Sequence, residues 1–259
     1  MSDAGLERFL AFSNQLADAA GAAIRPHFRQ PIGVDAKADA SPVTIADRAA
    51  ETSMRERIEA AFPQHGIIGE EFGRVRDDAE YLWVLDPIDG TKSFISGVPL
   101  FGTLIALLHR GRPLLGIIDQ PILSERWIGA DGRKTTLNGR AVATRICAGL
   151  GEATLFCSSP DMFQGRAAEK FETLRRAAKL TRWSADCYAY ALCASGCIDV
   201  VAEGSMKPYD YAALIPVVQG AGGVITDWSG RALSLTSDGT VLAAGDARVH
   251  AAACKLLSA

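Results

Sequence analysis

The sequence predicts a layered protein of the α+β class. Two long stretches near the N-terminus carry apolar residues at the spacing of an amphipathic helix, and several short strand-like runs follow them. From about residue 150, strand and helix patterns alternate, which is typical of layered α/β packing. The 259 residues are enough to bury a sizeable core without disulfide or metal support. We expect one continuous unit with two halves, residues 1–150 and residues 151–259.

The first half begins with two predicted helices. Apolar residues at helical spacing predict the first helix over residues 6–24, and Pro26 closes it. A second helical pattern covers residues 43–62, where Thr44 and Asp47 are placed to form a capping box and Asp47 lies on or beside the apolar stripe. Strand-like runs separated by Gly, Pro and Asp follow at residues 66–69, 81–85, 101–108 and 114–118.

The second half follows a predicted hairpin turn at Asn138-Gly139. Its predicted elements are a strand at 154–157, helices at 167–180 and 188–194, a strand at 198–202, a helix at 209–219, strands at 224–226 and 241–243, and a last helix that ends at Leu257. Pro216 lies inside one predicted helix and is expected to kink it. The glycine-rich residues 220–223 follow a helix rather than a strand, so they indicate a helix C-cap and turn rather than a dinucleotide site.

Composition argues against several classes of partner. A net charge of −3 provides no field to gather nucleic acid, and the longest apolar run, residues 101–108, is too short to span a bilayer. The first residues lack a basic region followed by an apolar stretch, so we expect no secretory signal and a cytoplasmic location. The six cysteines form no CxxC pair and the four histidines lie far apart, which argues against a disulfide framework or a zinc site. We expect most of the cysteines to be small core residues.

Carboxylates follow two of the predicted strands. The first strand runs into Glu70 and Glu71, and the second runs into Asp86 and Asp89. Acids at the ends of buried strands would face one another at short range, and such like charges do not all stay ionised without a compensating cation. Because no His or Cys is nearby, the oxygen ligands favour a hard ion, Mg²⁺ or Mn²⁺, over zinc. A solvated acidic turn accounts for Glu71 but not for Asp86 and Asp89, which follow an aromatic and aliphatic strand directly.

The turn after the second of these strands also suits an anion. Residues 86–91 read Asp-Pro-Ile-Asp-Gly-Thr. Pro87 restricts its own φ, and Gly90 permits a close approach of the backbone. The N–H groups of Asp89, Gly90 and Thr91 can form a nest for phosphate if Thr91 opens a short helix. We therefore expect the metal and the phosphate to share this loop.

Four motifs together resemble the inositol monophosphatase-like superfamily, and the resemblance covers nearly the whole chain. They are Lys-Ala-Asp-Ala-Ser-Pro-Val-Thr-Ile-Ala-Asp at residues 37–47, Gly-Glu-Glu at 69–71, the turn at 86–91 and Tyr-Asp-Tyr-Ala-Ala at 209–213. The resemblance implies a layered α-β-α-β-α sandwich, Mg²⁺-dependent hydrolysis of a small-molecule phosphate monoester, and a homodimer.

The resemblance also implies roles for individual residues. It implies that two or three Mg²⁺ ions, or Mn²⁺ in their place, are held by Glu70, Asp86, Asp89, Asp210 and the backbone carbonyl of Ile88, with Asp86 bridging two ions. The catalytic residues would be Glu70, Asp47 and Thr91, of which the last two position the attacking water. The phosphate would contact Asp89, Gly90 and Thr91.

Three of the polar residues in these motifs have simpler interpretations. Asp47 can be a capping-box acid alone. Asp210 can stabilise the N-terminus of a helix that starts after Pro208, a role compatible with that of a ligand. Lys37 can balance the acidic cluster or be an exposed loop lysine.

The second half is expected to select the alcohol and to supply one metal ligand. Residues 182–190 place an acid, Asp186, where inositol phosphatases have a small residue, and with residues 86–94 and 207–211 they resemble the histidinol-phosphatase branch of the superfamily. Histidinol phosphate carries an ammonium group and an imidazole, and a pocket for it needs carboxylates. The expected substrate-binding residues are Asp186, Glu203 and Asp210. Trp183, Tyr188 and Tyr190 are instead expected to be core residues.

Several alternatives remain open at this stage. Asp186 and Glu203 can be surface acids at the ends of elements. The chain can be an inositol-1-phosphatase or a broad sugar-phosphate monoesterase, in which Glu203 would accept hydrogen bonds from hydroxyl groups. A third possibility is a regulator that binds metal or phosphate without turnover, although the full set of predicted ligands argues against it.

Overall fold

The computed structural model describes residues 3–36 and 42–258, in which helices and sheets are stacked as layers. The helices are α1 (Asp3–Ile24), α2 (Ile45–Ala61), α3 (Thr91–Ile95), α4 (Gly165–Ala177), α5 (Asp186–Ala194), α6 (Pro208–Tyr211), α7 (Leu214–Gly220) and α8 (Ala247–Ser258). The strands are β1 (Val34–Ala36), β2 (Pro42–Thr44), β3 (Gly66–Gly69), β4 (Gly73–Val75), β5 (Tyr81–Asp89), β6 (Gly102–His109), β7 (Arg112–Gln120), β8 (Glu125–Ala130), β9 (Thr136–Leu137), β10 (Arg140–Ala141), β11 (Thr154–Cys157), β12 (Leu180–Trp183), β13 (Val200–Glu203), β14 (Val224–Thr226) and β15 (Val241–Ala244).

The first sheet has eight strands in the order β10-β9-β8-β7-β6-β5-β3-β4 and is antiparallel except where β3 lies beside β5. One face packs against α1 and α2. Leu16 and Met54 from these helices share a buried cluster with Trp83, Ile105 and Ile117 from the sheet. The central strands β6 and β7 are buried along almost their whole length because helices cover both faces of the sheet.

The opposite face of the first sheet packs against α5 and α7. Val84 and Leu104 of the sheet share a second cluster with Tyr190 of α5 and Val217 of α7. The same cluster includes Val201 of the second sheet, whose five strands run in the order β12-β11-β13-β15-β14. Helices α5 and α7 therefore form the middle layer between the two sheets.

The outer face of the second sheet packs against α4 and α8. A third cluster joins Leu174 of α4 and Val249 of α8 to Leu155, Val200 and Leu242 of the sheet. The five layers confirm the predicted α-β-α-β-α sandwich of the α+β class. Within the described residues, no helix is both long and apolar enough to cross a membrane.

The structure corrects the predicted helix over residues 209–219. Two helices, α6 and α7, replace it, and a turn at residues 212–213 separates them. Pro216 has no N–H group to donate to the carbonyl of Ala212, so the helical ladder breaks there. Pro216 itself is the third residue of α7, where an N–H group would have no partner within the helix, so it needs no kink.

Other boundaries also differ from the predictions. The predicted helix over 167–180 ends at Ala177, and Leu180 instead begins the unpredicted strand β12. The predicted helix over 188–194 begins two residues earlier, at Asp186. The strand predicted over 81–85 continues to Asp89, and the sheet also includes the unpredicted strands β4 and β8.

Two local turn predictions are confirmed. Asn138 and Gly139 join β9 to β10 with φ values of 48° and 79°, which is the left-handed conformation that this type of hairpin turn requires. Gly220 is the last residue of α7, and residues 221–223 form the turn after it, where the N–H of Gly223 donates to the carbonyl of Val218 at 3.0 Å. Four of the six cysteines are buried, as expected.

Candidate active site

Strand β5 continues past its predicted end at residue 85, and its last residues, 86–89, form the centre of the site. Its pairing with β6 shifts between Asp86 and Asp89, so this end of the strand is irregular. The N–H of Ile88 donates to Asp86 Oδ1 at 3.0 Å, and the hydroxyl of Thr103 donates to the carbonyl of Pro87 at 2.8 Å. The irregular end therefore holds the Asp86 carboxylate in a defined orientation.

Three predicted metal ligands lie together in this region. One carboxylate oxygen from each of Asp86, Asp89 and Asp210 lies within 4.8 Å of the others. Glu70 lies beside Asp86. Asp210 comes from the second half of the chain and is the third residue of α6, where it also accepts a hydrogen bond from the N–H of Lys207 at 2.6 Å. Asp210 is therefore a helix-capping acid and a member of the cluster at once.

The cluster is electrostatically unfavourable without a cation. Burial raises the pKa of Asp86 and Asp89 well above the usual range, and neighbouring carboxylates raise both further. Burial also raises the pKa of Asp210 to about 7, and the charges of Glu70 and Glu203 act in the same direction. All of these donors are carboxylate oxygens, so the cluster fits a hard divalent ion such as Mg²⁺.

Asp47 lies next to this cluster and is completely buried. The predicted capping box is confirmed, because Asp47 Oδ2 accepts a hydrogen bond from the N–H of Thr44 at 2.8 Å and the Thr44 hydroxyl accepts one from Ala46 at 3.1 Å. The Thr91 hydroxyl lies 3.1 Å from the carbonyl of Ile88 and 3.4 Å from Asp47 Oδ1. Its single proton is therefore best placed to reach Ile88, and its contact with Asp47 is weak.

Gly90 forms the turn between β5 and α3. Its φ of 91° is in the left-handed region, and Thr91 opens a short helix as predicted. A Cβ atom at Gly90 would lie 2.7 Å from Asp186 Oδ2, so glycine is also required by the close approach of this side chain. From the sequence, Gly90 was expected only to let the backbone approach a phosphate.

Asp186 reaches the site through an unusual backbone conformation. Asp186 and Ser184 have φ values of 45° and 65°, which are uncommon for residues other than glycine and concentrate at functional sites. The Asp186 carboxylate accepts a hydrogen bond from the Ser93 hydroxyl at 2.7 Å. The next N–H group, that of Cys187, donates to Asp89 Oδ2 at 2.5 Å. The start of α5 is thus bonded directly to the turn at residues 86–91 of the first half.

Glu203 ends β13 at the same cleft and is 3% exposed. It accepts hydrogen bonds from the N–H of Ser158 at 2.9 Å and the Tyr190 hydroxyl at 3.0 Å, and also from the Ser158 hydroxyl. Burial raises its pKa to about 7, although these hydrogen bonds favour the charged form. Burial also raises the pKa of Asp186, while Ser93 lowers it.

These residues surround one cleft with a volume of about 670 Å³. Its lining includes Glu70, Asp89, Gly90, Thr91, Asp186, Glu203 and Asp210 from the predicted site. The structure therefore places seven of the predicted metal, phosphate and substrate residues around a common space, whereas the buried residues Asp47, Asp86 and Ile88 do not line it. Their individual roles remain predictions, and Lys37 lies outside the described residues.

The family model for the inositol monophosphatase family matches residues 5–259. The chain belongs to the inositol monophosphatase family. It is a phosphatase of this type, and phosphatases of the family are generally metal-dependent.

Similar proteins carry different substrate names. The bifunctional phosphatase IMPL2, chloroplastic, of Arabidopsis thaliana is 50% identical over 99% of this chain and 77% of its own length. The histidinol-phosphatase of Chlorobaculum parvum is 38% identical over 90% of this chain and 91% of its own length. The structure of an inositol monophosphatase from Zymomonas mobilis is 46% identical, with a TM-score of 0.92 and complete coverage of both chains.

The inositol monophosphatase fold brings further residues to the cleft that the sequence analysis missed. They are Pro42, Lys92, Ser93, Ser158, Ser159, Asp161, Met162, Ser184, Ser205 and Met206. Ser93 lies two residues after the turn at residues 86–91, and its helical spacing from Gly90 could have indicated that its side chain lies near the site. Ser158 and Asp161 lie in the connection after β11, where the sequence has no comparable pattern. Tyr190 is in the core as expected, yet it also bonds to Glu203.

Proposed function

We propose that this chain is a Mg²⁺-dependent phosphomonoesterase whose preferred substrate is L-histidinol phosphate, which it converts to L-histidinol and phosphate in histidine biosynthesis. The observation that carries the proposal is the pair of carboxylates, half-buried Asp186 and buried Glu203, that lines the cleft beside the acidic cluster. The histidinol-phosphatase of Chlorobaculum parvum, at 38% identity, supports the same assignment. The proposed location is the cytoplasm, although the similar Arabidopsis thaliana protein is named chloroplastic.

In this proposal the first half of the chain performs the chemistry. Two or three Mg²⁺ ions would be held by Glu70, Asp86, Asp89, Asp210 and the carbonyl of Ile88. When bound, Mg²⁺ supplies activation of the attacking water and neutralises charge on the phosphoryl oxygens. Residues 1–150 would thus carry the metal and phosphate contacts, and residues 151–259 would add Asp210 and select the alcohol.

Asp47 and Thr91 are placed to orient a water molecule. Asp47 Oδ2 already accepts two hydrogen bonds from Thr44, so its Oδ1 is the oxygen that is available to a water. The Thr91 hydroxyl donates to Ile88, which leaves its lone pairs to accept. A water that donates to both acceptors would direct a lone pair toward the phosphorus. The N–H groups of Gly90 and Thr91, at the start of α3, would contact the phosphate.

The two carboxylates of the second half suit a cationic alcohol. Asp186 and Glu203 are each oriented by a serine, and Ser158 interacts with both. Because Glu203 has a pKa of about 7, a nearby ammonium or imidazolium would favour its charged form. Burial would strengthen this attraction relative to water.

The substrate proposal predicts a selective defect in Asp186→Asn. Loss of a charge-assisted hydrogen bond should cost about 1.5 to 3 kcal/mol, so kcat/KM for histidinol phosphate should fall at least about tenfold. Hydrolysis of glycerol phosphate, which has no cationic group, should scarcely change. Steady-state phosphate release with both substrates measures this, and equal losses on both would contradict the proposed recognition.

An inositol-1-phosphatase or a broad sugar-phosphate monoesterase is the second candidate. It is favoured by the 46% identity to the Zymomonas mobilis inositol monophosphatase and by the ability of Glu203 to accept hydrogen bonds from hydroxyl groups. A wild-type preference for inositol phosphate would support it and leave the phosphatase mechanism intact. Absence of phosphate release from every ester would favour a metal- or phosphate-binding regulator instead.

We also propose that the chain forms a homodimer. The family resemblance suggests it. Ile95 and Val98, which follow the turn at residues 86–91, are each 40% exposed, and exposed apolar side chains of this kind can be covered by a second copy of the chain. Sedimentation at micromolar concentration should give about twice the chain mass of 27.5 kDa. A species with the mass of one chain alone would contradict this.

A further inference from the structure

Glu51 is a completely buried carboxylate that no proposed role explains. It lies on α2 four residues after Asp47, so both side chains lie on the same face of the helix. A buried carboxylate is costly unless hydrogen bonds and an opposite charge compensate it. Its partners therefore indicate what it does.

Glu51 binds the turn that follows Glu70. Its Oε2 accepts a hydrogen bond from the N–H of Glu71 at 2.7 Å, and its Oε1 accepts one from the N–H of Phe72 at 3.2 Å. Oε1 also pairs with Arg55 Nε at 2.7 Å. Both of these backbone groups belong to the connection between β3 and β4, which carries Glu70.

The turn is held from its other side as well. The N–H of Glu70 donates to the carbonyl of Leu85 at 3.2 Å, directly before Asp86. Arg55 reaches past Glu51 and donates to the carbonyl of Gly73. The backbone on both sides of Glu70 is therefore fixed, by β5 before it and by α2 after it.

Gly69 makes room for this contact. A Cβ atom at Gly69 would lie 2.0 Å from Glu51 Oε1 and 2.8 Å from Arg55 Nη2. Any other residue would displace the carboxylate from the turn. The glycine that precedes Glu70 is thus explained by the approach of Glu51.

We propose that Glu51 is a positioning residue, which holds Glu70 against Asp86 before any metal binds and so prepares the site for a divalent ion. This inference rests on the proposed function, in which Glu70 is a metal ligand. Groups that orient metal ligands typically contribute about 10- to 100-fold to metal affinity. Removing the Glu51 charge should therefore weaken metal binding without removing a ligand.

The first test uses the wild-type protein without metal. Hydrogen exchange in excess chelator should show that the amides of Glu71 and Phe72 are already protected, and added Mg²⁺ should change their protection little. Exchange at the rate of an open turn, with protection only after Mg²⁺ is added, would overturn the inference. This measurement needs no variant and depends on no enzyme activity.

The second test compares two variants. Glu51→Gln should speed exchange at these two amides and raise the Kd for Mn²⁺, measured by calorimetry, roughly 10- to 100-fold. Activity at saturating metal should recover to within a few fold of wild type. Gly69→Ala displaces the Glu51 carboxylate by a steric route and should produce the same two changes. It therefore serves as the test if Glu51→Gln fails to fold. Glu59→Gln is the matched control, since Glu59 lies on α2 but pairs with Arg76 on the surface, and it should change neither quantity.

The outcomes separate this inference from the proposed function. Mn²⁺ binding and amide exchange that are unchanged in both test variants would overturn the role of Glu51 and leave the phosphatase proposal standing. A wild-type protein that binds no Mn²⁺ would overturn both. Failure of histidinol phosphate as the substrate would affect neither measurement.

Discussion

Asp86→Asn is expected to reduce phosphate release by about 10³-fold or more while the protein keeps its fold. The variant loses one of the proposed metal ligands, and the several kcal/mol of charge stabilisation that bound metal ions would provide correspond to a factor of this size. Chelation should likewise abolish wild-type activity, and added Mg²⁺ should restore it. Phosphate release with and without chelator measures both effects. Full wild-type activity in excess chelator would contradict metal dependence.

The same variant should stabilise the metal-free protein at neutral pH. Burial and the neighbouring carboxylates raise the pKa of Asp86 in the folded state. Between the unfolded pKa near 4 and the higher folded pKa, the folded chain binds more protons than the unfolded chain, so stability falls as pH rises. Asp86→Asn removes this penalty. Thermal unfolding in chelator should show a higher Tm for the variant at pH 8, and the difference should shrink toward pH 4.

Asp119→Asn provides the matched control for Asp86→Asn. Asp119 is also buried, but it lies on β7, away from the cleft. Its Oδ1 pairs with Nε of Arg126 on β8 at 2.6 Å. Burial raises the pKa of Asp119 as well, while the charge of Arg126 lowers it, and Arg126 keeps its ion pair with Asp18, so any gain in stability at pH 8 should be smaller than that of Asp86→Asn. Activity with Mg²⁺ should remain. A gain at pH 8 that is clearly larger in Asp86→Asn than in Asp119→Asn would identify repulsion among the clustered carboxylates, which a cation would relieve, as the source of the difference.

Asp47→Asn is expected to lower kcat by about 10²- to 10⁴-fold with little change in KM. This range is typical when a group that orients or accepts a proton in the transition state is removed. The variant keeps one oxygen that can accept the hydrogen bond from Thr44 and loses the charge that faces Thr91. Single-turnover and steady-state kinetics at saturating Mg²⁺ measure the effect on chemistry.

Thr44→Ala separates this catalytic role from helix capping. The Thr44 hydroxyl caps α2 but lies on the Oδ2 side of Asp47, away from the Thr91 contact. Its loss should cost about 1 kcal/mol of stability and much less activity than Asp47→Asn. Equal losses of stability and activity in the two variants would make Asp47 a capping acid alone.

The features that could be predicted correctly from the sequence are those that depend on neighbouring residues. The capping box of Thr44 and Asp47, the hairpin turn at Asn138-Gly139 and the helix start at Thr91 are all encoded within a few positions. Such features follow from local hydrogen bonds, allowed backbone angles and the period of the apolar residues. The order of four short motifs was enough to identify the family and the layered fold.

The contacts between segments that are distant in the sequence could not be predicted in this way. Asp89 and the N–H of Cys187 are 98 positions apart and bond at 2.5 Å, because packing of α5 between the sheets brings them together. No local pattern indicates the left-handed backbone conformation of Asp186, and the helix predicted from the sequence begins two residues later than α5 does. In the sequence, Glu51 has the pattern of any acidic residue on a helix. Its contact with the turn after Gly69 depends on where the fold places β3. Long-range packing sets these contacts, and no residue next to them in the sequence carries that information.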